Sequence, residues 1–99
     1  MALMHLTIIP LNTGSTGMGD YIADIQTVLA ESGFPHTLTD MGTIVEGSSK
    51  ELLALAAELA ERPFARGVDR VLTQLTLDDR RDKKVSLGDK RASVEARLR

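Results

Sequence analysis

The chain has 99 residues, a formal net charge of −2, two histidines and no cysteine. Its length fits one domain with a single core, and the absence of thiols excludes a disulfide framework and a thiolate metal site. Interspersed charges and three aromatic residues offer little surface for nucleic acid. The chain also has neither an apolar run near the roughly 20 residues of a membrane span nor a basic leader. We therefore expect a cytoplasmic protein without metal or cofactor that binds neither nucleic acid nor membrane.

Hydrophobic spacing predicts the element order β-α-β-β-α-β-α. The first strand covers residues 4–11 and leads into a loop, 12–19, rich in glycine and hydroxyl groups. A helix follows at residues 20–32, and then a hairpin with strands at 36–40 and 43–46. The second helix begins at Ser49 and ends near Arg66, a fourth strand covers residues 68–77, and a charged cluster at 78–84 precedes a tail helix at 88–99. This pattern predicts a single α+β domain over residues 1–99.

The hairpin and the helix after it carry the clearest local signals. Gly42 can adopt a positive φ without steric cost, so Met41 and Gly42 predict a tight corner between the two strands. Ser48 and Glu51 have the spacing of a capping box, in which each side chain satisfies a free backbone N–H at a helix start. The third strand is therefore expected to end where the second helix begins.

The first six elements match a ferredoxin-like βαββαβ sandwich, to which the tail adds a third helix. The predicted strand order is four-one-three-two, with both helices on one face. This order brings hydroxyl groups and a thioether to one end of the sheet, where they would furnish a small-molecule pocket. The residues expected there are Thr13, Ser15, Thr16, Thr39, Met41 and Thr43.

The opposite end of the sheet gathers charges. The third and fourth strands are predicted to run parallel, which places Glu46 beside the charged cluster at residues 78–84. Pairing with Arg80 or Arg81 is the favoured role of Glu46, and contact with a ligand is the alternative. Tyr21, at the start of the first helix, could stack on a ligand ring or pack against the core.

Apolar residues on both faces of the first strand point to self-association. Met4, Leu6 and Ile8 alternate with His5, Thr7 and Ile9, although a face without helices should be polar if it met water. A second sheet packed on that face would explain the pattern. We expect a homodimer or a dimer of dimers, that is, a homotetramer.

Several stretches resemble the thiamine-binding protein family, a YkoF-like group of small proteins. They are Ile8-Ile9-Pro10-Leu11 with Thr13-Gly14 and Thr16, then Tyr21, then Met41-Gly42-Thr43-Ile44-Val45-Glu46-Gly47, then Asp78-Asp79-Arg80-Arg81-Asp82-Lys83. The resemblance covers nearly the whole chain in the same order. It implies a ferredoxin-like fold, assembly through the sheets, and binding of thiamine or its hydroxymethylpyrimidine half without catalysis.

Carried over by position, the resemblance places the ligand on the loop of Thr13, Ser15 and Thr16 and on the corner of Thr39, Met41 and Thr43. Threonine hydroxyls, backbone groups and a methionine wall suit an aminopyrimidine. The protein would then act as a carrier, a buffer or a ligand-responsive regulator. The alternatives are a regulatory or adaptor subunit that binds another protein and, less favoured because the first loop has no arginine, an acylphosphatase-like enzyme.

Overall fold

A computed structural model of the chain describes residues 1–13 and 18–99. The strands are β1 (Ala2–Leu11), β2 (His36–Thr39), β3 (Gly42–Gly47) and β4 (Arg70–Asp79), and the helices are α1 (Gly19–Ser32), α2 (Ser49–Ala65) and α3 (Asp89–Arg97). The order of elements is the one predicted from the sequence. Its first six elements form the ferredoxin-like sandwich, and α3 is the additional tail helix.

The sheet has the strand order β2-β3-β1-β4. β1 is antiparallel to β3 on one side and to β4 on the other, so β3 and β4 run parallel. The predicted order and the predicted direction of each strand are both confirmed. The long β1 strand therefore lies at the centre of the sheet.

The core lies between the sheet and α1 and α2. Alternate residues of β1 point toward the helices and are buried, including Met4, Leu6 and Ile8. They meet Leu29 of α1 and Leu52 of α2, both fully buried. Burial of such a side chain contributes about 1.5–3 kcal/mol relative to its exposed state. The strict alternation along β1 follows from the period of two residues in a strand.

Local signals end and begin the helices where the sequence predicted. Gly33 adopts a left-handed conformation with φ of 81° directly after α1, which a glycine does without steric cost. At the start of α2, the Ser48 hydroxyl accepts the Glu51 N–H at 3.2 Å and donates to the Glu51 carboxylate at 2.7 Å. The capping pair is therefore present, with the carboxylate bound to the serine hydroxyl.

The largest differences from the predicted strand boundaries are in β1, which begins two residues earlier, and in β4, which begins and ends two residues later. β1 begins at Ala2 and β4 continues through Asp78 and Asp79, because Ala2 pairs with Asp79 and Leu3 pairs with Asp78. Backbone pairing with β1 continues where the side chains of β4 become charged. The charged run therefore begins inside the strand and not after it.

The face of the sheet without helices carries a mixture of apolar and polar groups. Ile9 and Ile44 are half-buried there, and Leu72, which lies opposite Ile9, is 45% exposed. His5 lies between Ile44 and Thr76 on the same face. The two-faced apolar pattern predicted for β1 is thus present in the structure.

α2 packs directly on the sheet, whereas α1 packs chiefly on α2. Arg62 of α2 binds Asp24 of α1 through two hydrogen bonds of 3.0 and 2.7 Å. Arg66 lies 5.1 Å from the centre of the Tyr21 ring and donates to the Asp20 carbonyl at 3.2 Å. Tyr21 is therefore half-buried in the contact between the two helices.

None of the helices within residues 1–13 and 18–99 is both long and apolar enough to cross a membrane.

Candidate functional site: a cavity beneath α1

The β2–β3 corner is held by a network of hydrogen bonds. The Thr39 hydroxyl accepts the N–H groups of Met41 and Gly42, each at 3.2 Å, and donates to the Gly42 carbonyl at 2.8 Å. Thr7 of β1 donates from its hydroxyl to the Met41 carbonyl at 3.2 Å. A hydroxyl has one proton and two lone pairs, so these three bonds use the full capacity of Thr39. Thr39 therefore shapes the corner with its hydroxyl.

Gly42 brings the corner into close contact with β1. Its φ is 156°, and a Cβ atom there would lie 2.7 Å from Nε2 of His5, 2.8 Å from the Leu6 carbonyl oxygen and 2.8 Å from Oγ1 of Thr7. All three distances are shorter than real Cβ contacts, and one of the partners is a rigid backbone atom. Only glycine fits at this position without displacing β1.

A cavity of about 150 Å³ lies between this corner, α1 and the helix-facing side of β1. Three segments line it. β1 contributes residues 6–9, the hairpin contributes residues 38–43, and the start and middle of α1 contribute Met18, Ile22, Ile25 and Gln26. One wall of the cavity is therefore α1. The cavity exists on this side of the sheet because α1 packs less closely on the sheet than α2 does.

A pair of polar side chains meets inside this mostly apolar cavity. Thr43 of β3 is buried, with 6% of its surface exposed, and its hydroxyl accepts a hydrogen bond of 3.0 Å from the Gln26 amide. The Gln26 amide also has a second N–H and a carbonyl oxygen. The pair can therefore present a donor and an acceptor to a ligand from one wall of the cavity.

The mouth of the cavity is apolar and open to solvent. Met18, Ile22, Leu38 and Met41 are 37%, 39%, 53% and 79% exposed, respectively. Large apolar side chains that cluster at a cleft are typical of ligand and protein binding sites. Methionine at two of the four positions gives the mouth a flexible, polarisable surface that can fit a flat ring.

Asp40 contributes the single formal charge among the described residues of the lining. Its carboxylate belongs to the exposed hairpin turn, next to Met41. The described part of the lining has no lysine, arginine or histidine. Electrostatics at the mouth therefore favour a neutral or cationic ligand.

The structure brings three of the six predicted site residues to this cavity. Thr39, Met41 and Thr43 line it. Thr13 lies elsewhere, because Leu6 pairs with Thr43 and β1 continues five residues further, to Leu11, before Thr13 is reached. At about 3.3 Å per residue, that is roughly 16 Å along the strand. Ser15 and Thr16 lie outside the described residues.

Sequence reasoning missed Gln26 and the apolar mouth. Gln26 follows Ile25 and is one helical turn after Ile22, so it is a polar residue within the inward stripe of α1. A polar side chain in such a stripe needs a buried hydrogen-bond partner. The position of Gln26 in the stripe was therefore the signal that could have predicted its role. Nothing in the spacing of Met18 and Leu38 distinguished them from ordinary core residues.

Glu46 has a different partner from the one predicted. Its carboxylate accepts the Leu87 N–H at 2.6 Å, which attaches the tail to the end of β3. Arg80 pairs with Asp82, and Arg81 pairs with Asp79, at 2.7 and 2.8 Å respectively. The expected pairing of Glu46 with an arginine was wrong, because each arginine finds an aspartate two residues away in its own segment.

Hydrogen bonds at this charged end lower two carboxyl pKa values. Arg81 and the Ser49 hydroxyl both donate to the Asp79 carboxylate and lower its pKa from 3.8 to about 2. Arg80 has the same effect on Asp82, whose pKa is also about 2. The bond from Ser49 joins the end of β4 to the start of α2.

Replacing Asp79 with Asn is expected to lower the melting temperature at neutral pH by a few degrees. Because the folded-state pKa is depressed, the stabilisation by Asp79 is complete above its unfolded value of 3.8 and is lost as pH falls toward about 2. Melting curves between pH 7 and pH 2 should therefore converge for the native chain and the Asp79→Asn variant. The control is Asp78→Asn, on the other face of β4. A difference that stayed constant to the lowest pH would contradict this role.

The amino-acid sequence and the fold of this chain were compared with those of known proteins. Residues 4–95 match the profile of a family described as thiamine-binding protein. The chain belongs to the thiamine-binding protein family. It is 40% identical to the UPF0045 protein YqgV of Bacillus subtilis, over 99% of this chain and 98% of the relative. The resemblance stated from the sequence is confirmed.

Two solved structures share the fold of this thiamine-binding family member. The hypothetical protein MJ1052 of Methanocaldococcus jannaschii superposes with a TM-score of 0.83 at 26% identity, covering 95% of each chain. A proposed thiamine biosynthesis/salvage protein of Thermotoga maritima superposes with a TM-score of 0.75 at 19% identity, covering 94% of this chain and 97% of that one. Both confirm the ferredoxin-like α+β fold.

Proposed function

We propose that the protein binds the aminopyrimidine half of thiamine, or free hydroxymethylpyrimidine, in the cavity beneath α1. The observation that carries this proposal is the Gln26–Thr43 pair inside an otherwise apolar cavity. An aminopyrimidine presents an amine donor beside a ring nitrogen acceptor. A glutamine amide matches that edge with two parallel hydrogen bonds, as it does on adenine.

The size of the cavity supports a bound ring and not a whole vitamin. An apolar cavity of about 150 Å³ is large enough to hold a benzene-sized molecule, and this cavity has the same volume. The pyrimidine would therefore enter between α1 and β1. The thiazolium half would remain at the mouth, where its positive charge faces Asp40 and its flat surface meets Met41.

Thr39 and Thr43 have separate roles in this proposal. Thr43 polarises and orients the Gln26 amide, whereas Thr39 fixes the corner that supports Met41. Ser15 and Thr16 remain proposed contacts of the first loop, whereas Thr13 lies beyond the end of β1, too far from the cavity to join them. The protein acts as a carrier, buffer or ligand-responsive regulator and performs no catalysis. Cytoplasmic location and pairing of the open sheet faces into a dimer or a dimer of dimers belong to the same proposal.

Calorimetric titration with thiamine, hydroxymethylpyrimidine and hydroxyethylthiazole tests this assignment. We expect hydroxymethylpyrimidine and thiamine to bind, with thiamine the tighter because its cation meets Asp40, and the thiazole alone to give no measurable heat. Binding of the thiazole without binding of the pyrimidine would overturn the proposed orientation of thiamine in the cavity. An adaptor that binds another protein would respond to none of the three compounds.

A further inference from the structure

The half of the chain that builds the cavity has no basic side chain other than histidine. Residues 1–49 contain no lysine or arginine and five acidic residues, a net charge of −5. Residues 50–99 contain twelve basic and nine acidic residues, a net charge of +3. Every described residue of the lining lies between Leu6 and Thr43. The described wall of the cavity therefore comes from the acidic half of the chain.

Two carboxylates lie near the mouth of the cavity. Asp40 is exposed on the hairpin turn and lines the mouth. Asp20 is exposed in the first turn of α1, two residues after Met18, which also lines the mouth. A helix N-terminus carries about half a unit of positive charge and favours anions, but two carboxylates outweigh it. The net potential at the mouth is therefore negative.

Two arginines of α2 reach α1, but they contact a different face of this helix. Arg62 forms two hydrogen bonds with Asp24, and Arg66 lies 5.1 Å from the centre of the Tyr21 ring. Neither Tyr21 nor Asp24 is among the described residues that line the cavity. A phosphate group at the mouth would therefore find no lysine or arginine in the described lining.

We propose that the cavity binds the free alcohol forms of its ligands and rejects their phosphate esters, with Asp40 as the residue that sets this preference at the mouth. The inference rests on the proposed function, in which the pyrimidine enters the cavity and the thiazolium stays outside. Thiamine and hydroxymethylpyrimidine each have one hydroxyl group that can carry a phosphate. A phosphate monoester has a charge of about −1.5 to −2 at pH 7. Esterification therefore adds negative charge to a ligand of an acidic site.

The two esters would be rejected for different physical reasons. In thiamine monophosphate the phosphate is attached to the thiazolium half, so it would lie at the mouth, where Asp40 repels it. Like charges a few ångströms apart at a protein surface cost roughly a factor of ten in affinity. In the ester of hydroxymethylpyrimidine, one carbon joins the phosphate to the ring, so the anion would leave water for an apolar cavity, which costs far more. The pyrimidine ester should therefore be excluded more strongly than thiamine monophosphate.

This selectivity gives the protein a place in a reaction sequence. The reaction class that consumes its ligand is phosphoryl transfer by a separate enzyme. In that reaction the hydroxyl oxygen forms a bond to the terminal phosphorus of a nucleoside triphosphate. The bond to the nucleoside diphosphate breaks, and the hydroxyl proton is released. Because the site rejects the ester, the protein holds the compound before phosphorylation and does not rebind the product.

Calorimetric titration of the native chain with both alcohols and both phosphate esters tests the inference. We expect thiamine monophosphate to bind at least about tenfold more weakly than thiamine, and the pyrimidine ester to give no measurable heat. Equal affinity for thiamine and its monophosphate would overturn the inference and leave the proposed function intact. Failure of both alcohols to bind a folded chain would overturn the proposed function, and the inference with it.

Reversing the charge of Asp40 tests whether this residue sets the preference. In Asp40→Lys, the dissociation constant of thiamine should rise and that of thiamine monophosphate should fall, so their ratio should change by roughly tenfold or more. Asp40 lies on an exposed turn, where a lysine has room. The matched control is Glu58→Lys, the same charge change at an exposed position of α2, which contributes no residue to the described lining. An unchanged ratio in Asp40→Lys, or an equal change in the control, would overturn the role of Asp40.

Salt and inorganic phosphate provide measurements that depend on no variant. Because Asp40 is exposed, its repulsion of thiamine monophosphate should be screened between roughly 0.05 and 0.5 M sodium chloride, and the preference for thiamine should shrink. A preference that salt leaves unchanged would contradict its electrostatic origin. Inorganic phosphate in large excess, at constant ionic strength, should not displace thiamine. Displacement would show an anion site at the mouth and would overturn the inference.

Discussion

Replacing Gly42 with Ala is expected to destabilise the protein strongly, because the added methyl group has no room between the corner and β1. The new Cβ would lie 2.8 Å from the Leu6 carbonyl oxygen and 2.7 Å from Nε2 of His5, and the positive φ of 156° is unfavourable for any residue with a side chain. Overpacking of this kind costs about 1–3 kcal/mol, and backbone strain adds to it. We expect a melting temperature lower by roughly 10 °C.

Gly19→Ala is the matched control for Gly42→Ala. No atom of the described residues lies within 4 Å of a Cβ at position 19, and alanine favours a helix over glycine by about 1 kcal/mol. Melting curves at one protein concentration should therefore show no loss for Gly19→Ala. A Gly42→Ala chain that melts with the native protein would show that the corner is not pressed against β1.

Replacing Gln26 with Leu is expected to cause the largest loss of ligand binding. The substitution keeps the size of the side chain but removes both hydrogen bonds proposed to reach the aminopyrimidine. A bidentate contact of this type contributes about 1–3 kcal/mol, so the dissociation constant for hydroxymethylpyrimidine should rise roughly 10- to 100-fold. Calorimetric titration of the native chain and the Gln26→Leu variant gives this ratio directly.

Two further variants separate lost recognition from lost folding. Gln26→Leu leaves the buried Thr43 hydroxyl without its present partner, which is destabilising. Adding Thr43→Val replaces both partners with apolar groups and should recover most of the melting temperature without recovering binding. Thr27→Ala, at an exposed neighbouring position of α1, should bind normally. Normal binding by the Gln26→Leu variant would remove Gln26 from the site.

The sequence predicted most of the fold because its signals were local and consistent. Alternation along β1, the glycine after α1 and the Ser48–Glu51 pair each specified one element, and chain connectivity then allowed few topologies. The resemblance to the thiamine-binding family depended on the same stretches. The end of β4 was less predictable, because its last two residues are charged and are held in the strand by pairing with Ala2 and Leu3.

Three of the four predicted site residues that the structure describes line the cavity, and strand register explains why the fourth, Thr13, does not. Thr39, Met41 and Thr43 are close in sequence, so the hairpin alone brings them together. Thr13 was expected beside them. Its distance from the corner depends on how far β1 extends past the corner, and the pairing of Leu6 with Thr43 determines this. The types of the side chains do not reveal this register. The assignment of Gln26 to the site could not be predicted without knowing which face of α1 lies over the corner.

Calorimetric titration of the native chain with hydroxymethylpyrimidine, repeated on Gln26→Leu, tests the central claim most directly. We predict saturable binding by the native chain, and heat that is greatly reduced in the variant under the same conditions. Absence of heat from a folded native chain, or equal heat from both proteins, would contradict the proposal that the cavity beneath α1 recognises an aminopyrimidine.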